Sequence, residues 1–161
     1  MVRLARDGRS IPEPTPVTAP FFEAAADGRF LLQTCPRDGA FFYPRARCPK
    51  CWRADWNWTE ASGRGTIHAF TIDRIGHDPT QKELAPFVIA LVDLEEGPRA
   101  VAQIVECEVD APYTGMKVKA VFDLFQPADG GDPVPILRFR PEGEVGSIGI
   151  SLPLAGAGPG G

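Results

Sequence analysis

The sequence predicts a mainly β protein in which a short N-terminal helix leads into a metal-binding ribbon and then a five-stranded barrel of OB type. Three observations carry this. Seventeen glycines and seventeen prolines among 161 residues punctuate the chain with turns and leave little room for helix. From residue 59 onward, short alternating apolar segments recur between glycine-marked turns, a rhythm that suits a small closed barrel better than a sandwich. Ahead of them, residues 35 to 51 read CPRDGAFFYPRARCPKC, two tight turns that carry metal-ligand side chains at matching spacing.

Residues 1–17 place Pro12, Pro14 and Pro16 in alternation among charged residues, which favours an extended arm with nothing to bury. Residues 18–34 read as a helix and a lead strand. Thr18 can cap the helix, Pro20 sits in its first turn, three alanines favour it and Gly28 stops it. Phe21, Phe22 and Ala25 fall on one face of that helix. In residues 35–58, the zinc-ribbon-like domain, FLLQTC delivers Cys35 and AFFYPRARC returns to Cys48. Trp52, Trp56 and Trp58 follow, and their rings are expected to form the small core beneath the ribbon.

The barrel spans residues 59–141. Its first strand sets Ile67, Ala69, Thr71 and Asp73 opposite His68, Phe70, Ile72 and Arg74. A polar connection without strong structure, residues 77–86, leads to FVIALVDLEEG, which turns at Glu95-Glu96-Gly97-Pro98 into RAVAQIVECEV. MKVKAVFDLF and PVPILRFRP supply the last two strands. The tail, residues 142–161, carries the apolar stripe Val145, Ile148, Ile150, Leu152 and Leu154 among many glycines, which reads either as a flexible end or as a segment that docks on a partner.

The net charge of −4 and a pI near 5.2 provide no basic field for nucleic acid. No apolar run reaches the length of a membrane span or a signal peptide, so a cytoplasmic protein without membrane association is expected. Cys35, Asp38, Cys48 and Cys51 are the candidate zinc ligands. Asp38 stands where a four-cysteine ribbon would carry its second thiolate, and the glycine expected just after it, Gly39, is present. Three sulfurs and one carboxylate oxygen make a chemically allowed zinc set, and a ribbon held by packing alone is the alternative. Cys107 shares strand parity with Val101, Val105 and Val109 and is expected as a buried strand thiol. Cys48-Pro49-Lys50-Cys51 also matches a dithiol redox motif, which would call for an α/β pattern absent here. No nucleophile stands beside a base, so no catalytic residue is predicted. His77 is a loop residue placed to meet a ligand. The sequence therefore asks what this chain binds.

The order of these elements resembles a known family. Its carriers are the phenylalanine-rich helix, the strand with Leu31, Leu32, Gln33 and Cys35, the ribbon with Gly39 and Pro44, the opening Gly63-Arg64-Gly65-Thr66, and the stretch from Pro86 to Gly97. Tyr113-Thr114-Gly115-Met116-Lys117-Val118 is similar to a further family segment, and the match covers residues 18 to 140. The family is the acyl-CoA-associated one with a rubredoxin-like zinc ribbon and a C-terminal OB-fold, long catalogued as a domain of unknown function. The resemblance implies a non-catalytic accessory subunit of a thiolase, acyltransferase or aldolase of thiolase fold, two copies of each chain, acting on a coenzyme A thioester. Arg37, Arg45, Arg47 and Lys50 are then the candidates to meet the nucleotide phosphates of coenzyme A, with solvated surface charge as the alternative reading. A free-standing acyl-CoA-binding protein and a single-stranded nucleic-acid module are the alternatives. Asp38 departs from the family pattern.

Overall fold

The computed structural model describes residues 3–143, so the apolar stripe of the tail lies outside the described residues. The chain opens with two short antiparallel strands, β1 (Arg3–Leu4) and β2 (Ser10–Ile11). Gly8, at φ 84°, makes the turn between them. Ala5 and Ile11 are buried against Phe125 and Val134, and Ala5 bridges to Pro127. Over these residues the arm expected to bury nothing is a hairpin laid on the barrel. Prolines begin only at Pro12, and ahead of them Ala5 and Ile11 find a surface.

Helix α1 (Ala19–Ala26) buries Phe21, Ala24 and Ala25. Thr18 precedes it but does not cap it with its side chain. Its hydroxyl instead accepts the Thr15 N–H at 2.8 Å, closing a turn on the incoming chain. Gly28, at φ 77°, ends the helix as expected.

The ribbon is a three-stranded sheet of β3 (Leu31–Cys35), β4 (Gly39–Phe41) and β5 (Asn57–Glu60), in the order β4-β3-β5. The return strand stops at Phe41, well short of Cys48, and the chain reaches that cysteine through an irregular loop. β5 replaces it along the other edge of β3.

The barrel follows from β6 (Arg64–Asp73), β7 (Phe87–Leu94), β8 (Arg99–Ile104), β9 (Lys117–Phe125) and β10 (Val134–Pro141). It closes in the order β10-β8-β7-β6-β9, with β10 and β8 parallel and the other pairs antiparallel. This is the five-stranded OB arrangement. A bulge at His68 between Ile67 and Ala69 shifts the β6–β7 register. Ile67 is buried while Ala69 is exposed, so the alternation expected along this strand changes face at His68. The 77–86 connection holds a short helix, α2 (Pro79–Leu84), whose first turn is capped by Asp78 accepting from the Gln81 N–H at 2.9 Å.

One core joins the parts. Phe21, Phe30 and Leu32 from the helix and ribbon share a cluster with Ile67, Val92, Val118 and Phe139 of the barrel. At the junction Phe30 meets Phe42 at 5.4 Å and Phe122 at 5.9 Å, both edge to face. The ribbon is therefore fused to the barrel through packed aromatic rings rather than tethered to it.

Candidate metal centre and ribbon surface

β3 runs into the first knuckle and delivers Cys35, which is 2% exposed. Gly39, at φ 80°, lets the chain turn back immediately after Asp38. The second knuckle repeats this form with a different residue. Trp52, four positions after Cys48 as Gly39 is four after Cys35, takes φ 62° and donates its N–H to the Cys48 carbonyl at 3.0 Å. A tryptophan in the left-handed region is strained, and the knuckle holds it there. This geometry also overturns one expectation. Trp52 is turned out of the ribbon and is 70% exposed, while Trp56 and Trp58 pack edge to face at 5.4 Å beneath the sheet as expected.

The two knuckles bring Cys35, Asp38, Cys48 and Cys51 together, each offering one ligand atom, all within 4.8 Å of one another. Cys35 Sγ lies 3.6 Å from Cys51 Sγ, and Asp38 Oδ2 lies 3.7 Å from Cys35 Sγ and 3.4 Å from Cys48 Sγ. A tetrahedral zinc with bonds of about 2.3 Å to sulfur and about 2.1 Å to oxygen requires S···S edges near ~3.8 Å and S···O edges near ~3.6 Å. The donor set fits such an ion in chemistry and in spacing.

The electrostatics of the cluster agree. The hydrogen bond with Asp38 pushes the Cys51 thiol up to about 12 and, from the other side, holds the Asp38 carboxyl below its ordinary value. Burial works against the Cys35 thiolate, but the backbone N–H groups of Arg37 and Asp38 outweigh it and lower that thiol. Beside the Asp38 carboxylate, with its thiol at about 12, Cys51 keeps its proton at neutral pH. A divalent ion would displace it.

Arg37, Arg45, Arg47 and Lys50 are all exposed on the ribbon. Two of them are engaged locally: Arg45 Nε donates to the Tyr43 carbonyl at 3.1 Å and Arg47 Nη1 to the Trp52 carbonyl at 3.0 Å. Arg37 and Lys50 flank the metal ligands in sequence, and among the described residues neither has an acidic side chain within ion-pair distance. His77 is not part of this group. It stands at the start of the β6–β7 connection, 91% exposed, with its ring 3.8 Å from Asp73. Cys107 is also apart from the metal cluster. β8 stops at Ile104 and turns through Glu106 at φ 56°, so Cys107 lies in a loop and not on a strand. The inward face of β8 is Ala100, Ala102 and Ile104, and Val101 points outward. Cys107 nevertheless packs against the barrel core, and burial raises its thiol above the ordinary value.

Two side chains that brace the ribbon escaped the sequence reading. Gln33 is 1% exposed, and its amide both accepts the Arg45 N–H at 2.7 Å and donates to the Arg45 carbonyl at 2.9 Å. It thus pins the irregular loop that carries Cys48 to β3. Tyr43 closes a gap in the barrel: its hydroxyl accepts the Val101 N–H at 2.8 Å and donates to the Val101 carbonyl at 3.0 Å. β10 pairs with β8 only at Gln103 and Ile104, so Val101 has no strand partner on that side. A glutamine inside an apolar strand was a readable signal of a buried amide. Tyr43 offered none.

Two family descriptions cover this architecture in succession: the ChsH2 rubredoxin-like zinc ribbon domain matches residues 22–57, and the ChsH2 C-terminal OB-fold domain matches residues 58–123. A DUF35 domain-containing scaffold protein of Methanocaldococcus jannaschii is 37% identical over 102 residues, 62% of this chain and 71% of that one. The benzoylsuccinyl-CoA thiolase subunit BbsA of Geobacter metallireducens is 35% identical over 107 residues, 66% of this chain and 68% of that one. Among solved structures, a chain of the Ltp2-ChsH2(DUF35) aldolase superposes with a TM-score of 0.65 at 30% identity, over 81% of this chain and 98% of that one.

Proposed function

Since the chain belongs to the DUF35 family, with the ChsH2 zinc ribbon and OB-fold in tandem, we propose that it is the accessory subunit of an acyl-CoA-processing enzyme. The observation that carries this is the superposition on the aldolase complex, in which nearly the whole of a chain from that assembly is reproduced by the ribbon and barrel here. The partner would be an enzyme of thiolase fold, with two copies of each chain, and would hold the catalytic residues. The relative named as a thiolase subunit supports that partner class.

In this reading the ribbon keeps its shape by binding zinc through Cys35, Cys48, Cys51 and Asp38, supported by the edge lengths of the cluster. The coenzyme A thioester would lie at the junction with the partner, where Arg37 and Lys50 are the ribbon cations available to its phosphates and Arg45 and Arg47 shape the surface beside them. His77, exposed on the β6–β7 connection, would meet the ligand only from the barrel side.

The test is affinity purification of the tagged full chain from its native host, with mass spectrometry and metal analysis of one fraction. Stoichiometric recovery of a thiolase-fold enzyme, with one zinc per copy of this chain, is expected. A folded monomer recovered alone, binding acyl-CoA directly, would replace the subunit reading with a free-standing carrier.

A further inference from the structure

The outer face of β10 carries a guanidinium that the fold does not satisfy. Arg138 is drawn in beneath the N-terminal hairpin until its side chain is 15% exposed. Among the described residues its hydrogen bonding is confined to one contact, Nε to Asp123 Oδ2 at 3.3 Å. No side-chain nitrogen there is both fully covered and unbonded, so the two Nη groups open to solvent-accessible space. A second guanidinium adds to the charge. Arg9, on the hairpin, lies 3.8 Å from the centre of the Phe125 ring, and Arg138 lies 5.5 Å from the same ring. Asp7 engages Arg9 at 2.8 Å, which leaves Arg138 with a single long contact. Burial, the largest influence on it, makes the cationic form of Arg138 harder to hold. A cation drawn out of water without full pairing is costly.

Two clefts meet at Arg138. A mixed cleft of about 270 Å³, between the hairpin, α2 and the barrel, sets Arg9, Gln81 and Gln103 beside Leu84, Phe87 and Phe125, with Arg138 on its border. Asp78 also reaches it, but its carboxylate is committed to capping α2. An apolar cleft of about 490 Å³ runs the other way from Arg138, along Phe21, Phe42, Tyr43, Val101 and Ile136, with Glu13 its one acidic lining residue. Ser10, Ile136 and Arg138 border both. That size lies within the ordinary range for a small-molecule pocket, which is mostly apolar with a few fixed polar groups.

We propose that Arg138 is the anchor of a small-molecule site in this chain that takes an organic carboxylate with an apolar body. The carboxylate accepts paired N–H bonds from the guanidinium fork of Arg138, with Ser10 at hand, and the body lies along Phe42, Val101 and Ile136. An aliphatic acyl acid and a phenylalkyl acid present this same chemistry. The site is complete within one chain, so it does not depend on the accessory-subunit reading, and either can fail alone.

The experiment is isothermal titration of the zinc-loaded full chain with decanoate, 4-phenylbutyrate, decanol and inorganic phosphate. Either acid is expected to bind with Kd below about 1 mM, and decanol and phosphate at least about tenfold more weakly, since one lacks the charge and the other the apolar body. Arg138→Gln is expected to weaken the acid by more than about tenfold, while Arg140→Gln, which removes an exposed arginine two residues on, leaves it unchanged. Should Arg138→Gln fail to fold, a nitroxide-labelled decanoate on the unaltered protein must broaden the methyl signals of Val101 and Ile136. Phosphate binding as tightly as the acids, an Arg138→Gln variant of unchanged affinity, or broadening confined to other methyls would each overturn the proposal.

Discussion

Removing the Asp38 carboxylate is the sharpest test of how the ribbon is held. The oxygen occupies the fourth corner of the cluster, 3.4 Å from Cys48 Sγ and 3.7 Å from Cys35 Sγ, where a fourth zinc ligand belongs. Structural zinc sites hold their ion with about 10–16 kcal/mol spread over four ligands, so losing one ligand should cost on the order of a hundredfold in affinity. Asp38→Ala should show this loss, because Gly39 still makes the turn and the three thiols remain in place. Asp38→Cys should move affinity the other way, since it restores the soft ligand that zinc prefers. The assay is competition for zinc against a fluorescent chelator of known affinity, with the thermal midpoint followed in parallel. If Asp38→Ala binds zinc within threefold of the unaltered chain and Asp38→Cys gains nothing, the carboxylate is a neighbour of the metal and not a ligand.

Three further perturbations follow from the packing. Tyr43→Phe removes both hydrogen bonds to Val101 and should lower stability by about 1 kcal/mol, or about 3 °C in Tm, with faster amide exchange at Val101; unchanged exchange there would show that water replaces the hydroxyl fully. Gly65→Ala would drive a methyl to 2.5 Å from Val92 Cγ1 and 2.8 Å from the Asp93 carbonyl, and should destabilise by about 1–3 kcal/mol in denaturant unfolding; a variant of unchanged midpoint would refute the closeness of β6 and β7 there. Asp129 is held below its ordinary value, first by the hydrogen bond from Arg3 and then by the Gly131 N–H, so its ionised form favours the folded state. That stabilisation is complete above the unfolded carboxyl value of about 3.9 and is lost as pH falls through the lower folded value. Protection of the hairpin amides, measured against the intrinsic exchange rate at each pH, should therefore fall on acidification, and Asp129→Asn should show the lowered protection at neutral pH as well; a variant that kept full protection would separate the hairpin from this ion pair.

What the sequence revealed and what it concealed divide along physical lines. The knuckles were legible because a metal site must repeat ligands at close spacing across a turn, and Cys35, Asp38, Cys48 and Cys51 come together as that spacing requires. The five barrel strands were legible because each inward face must be apolar at every second residue and each turn needs a glycine or an equivalent. The bulge at His68 was not, because an extra residue in one strand is defined by its partner's register, which a single segment does not contain. Trp52 was misplaced for a related reason. An apolar ring beside two others reads as core, yet the knuckle's left-handed backbone turns this one outward. The N-terminal hairpin was hidden because its strands are two residues each and are held by the barrel face rather than by their own propensity. Arg138 carried no signal at all, since one arginine in an outward position becomes a largely covered cation only when that hairpin lies over it.

The joints between the parts bear on how such a chain serves an enzyme it does not itself resemble. A ribbon on a flexible tether would lose orientational freedom on binding a partner, and that loss weakens association. Here β3 enters the barrel core through Phe30 and Leu32, Gln33 ties the second knuckle to the same strand, and Tyr43 reaches from the ribbon loop to the open edge of β8. The metal-ligand cluster at the far end of the ribbon is thereby connected to the barrel through one continuous set of contacts, buried at Phe30, Leu32 and Gln33 and exposed at Tyr43. Zinc removal should accordingly loosen more than the four ligands. The loop from Phe42 to Arg47 loses its anchor at Cys48, and with it the geometry that holds Tyr43 against Val101. If the proposed complex forms, the ribbon and barrel would meet the partner as one preorganised body, and a zinc in the ribbon would contribute to that association through the fold alone.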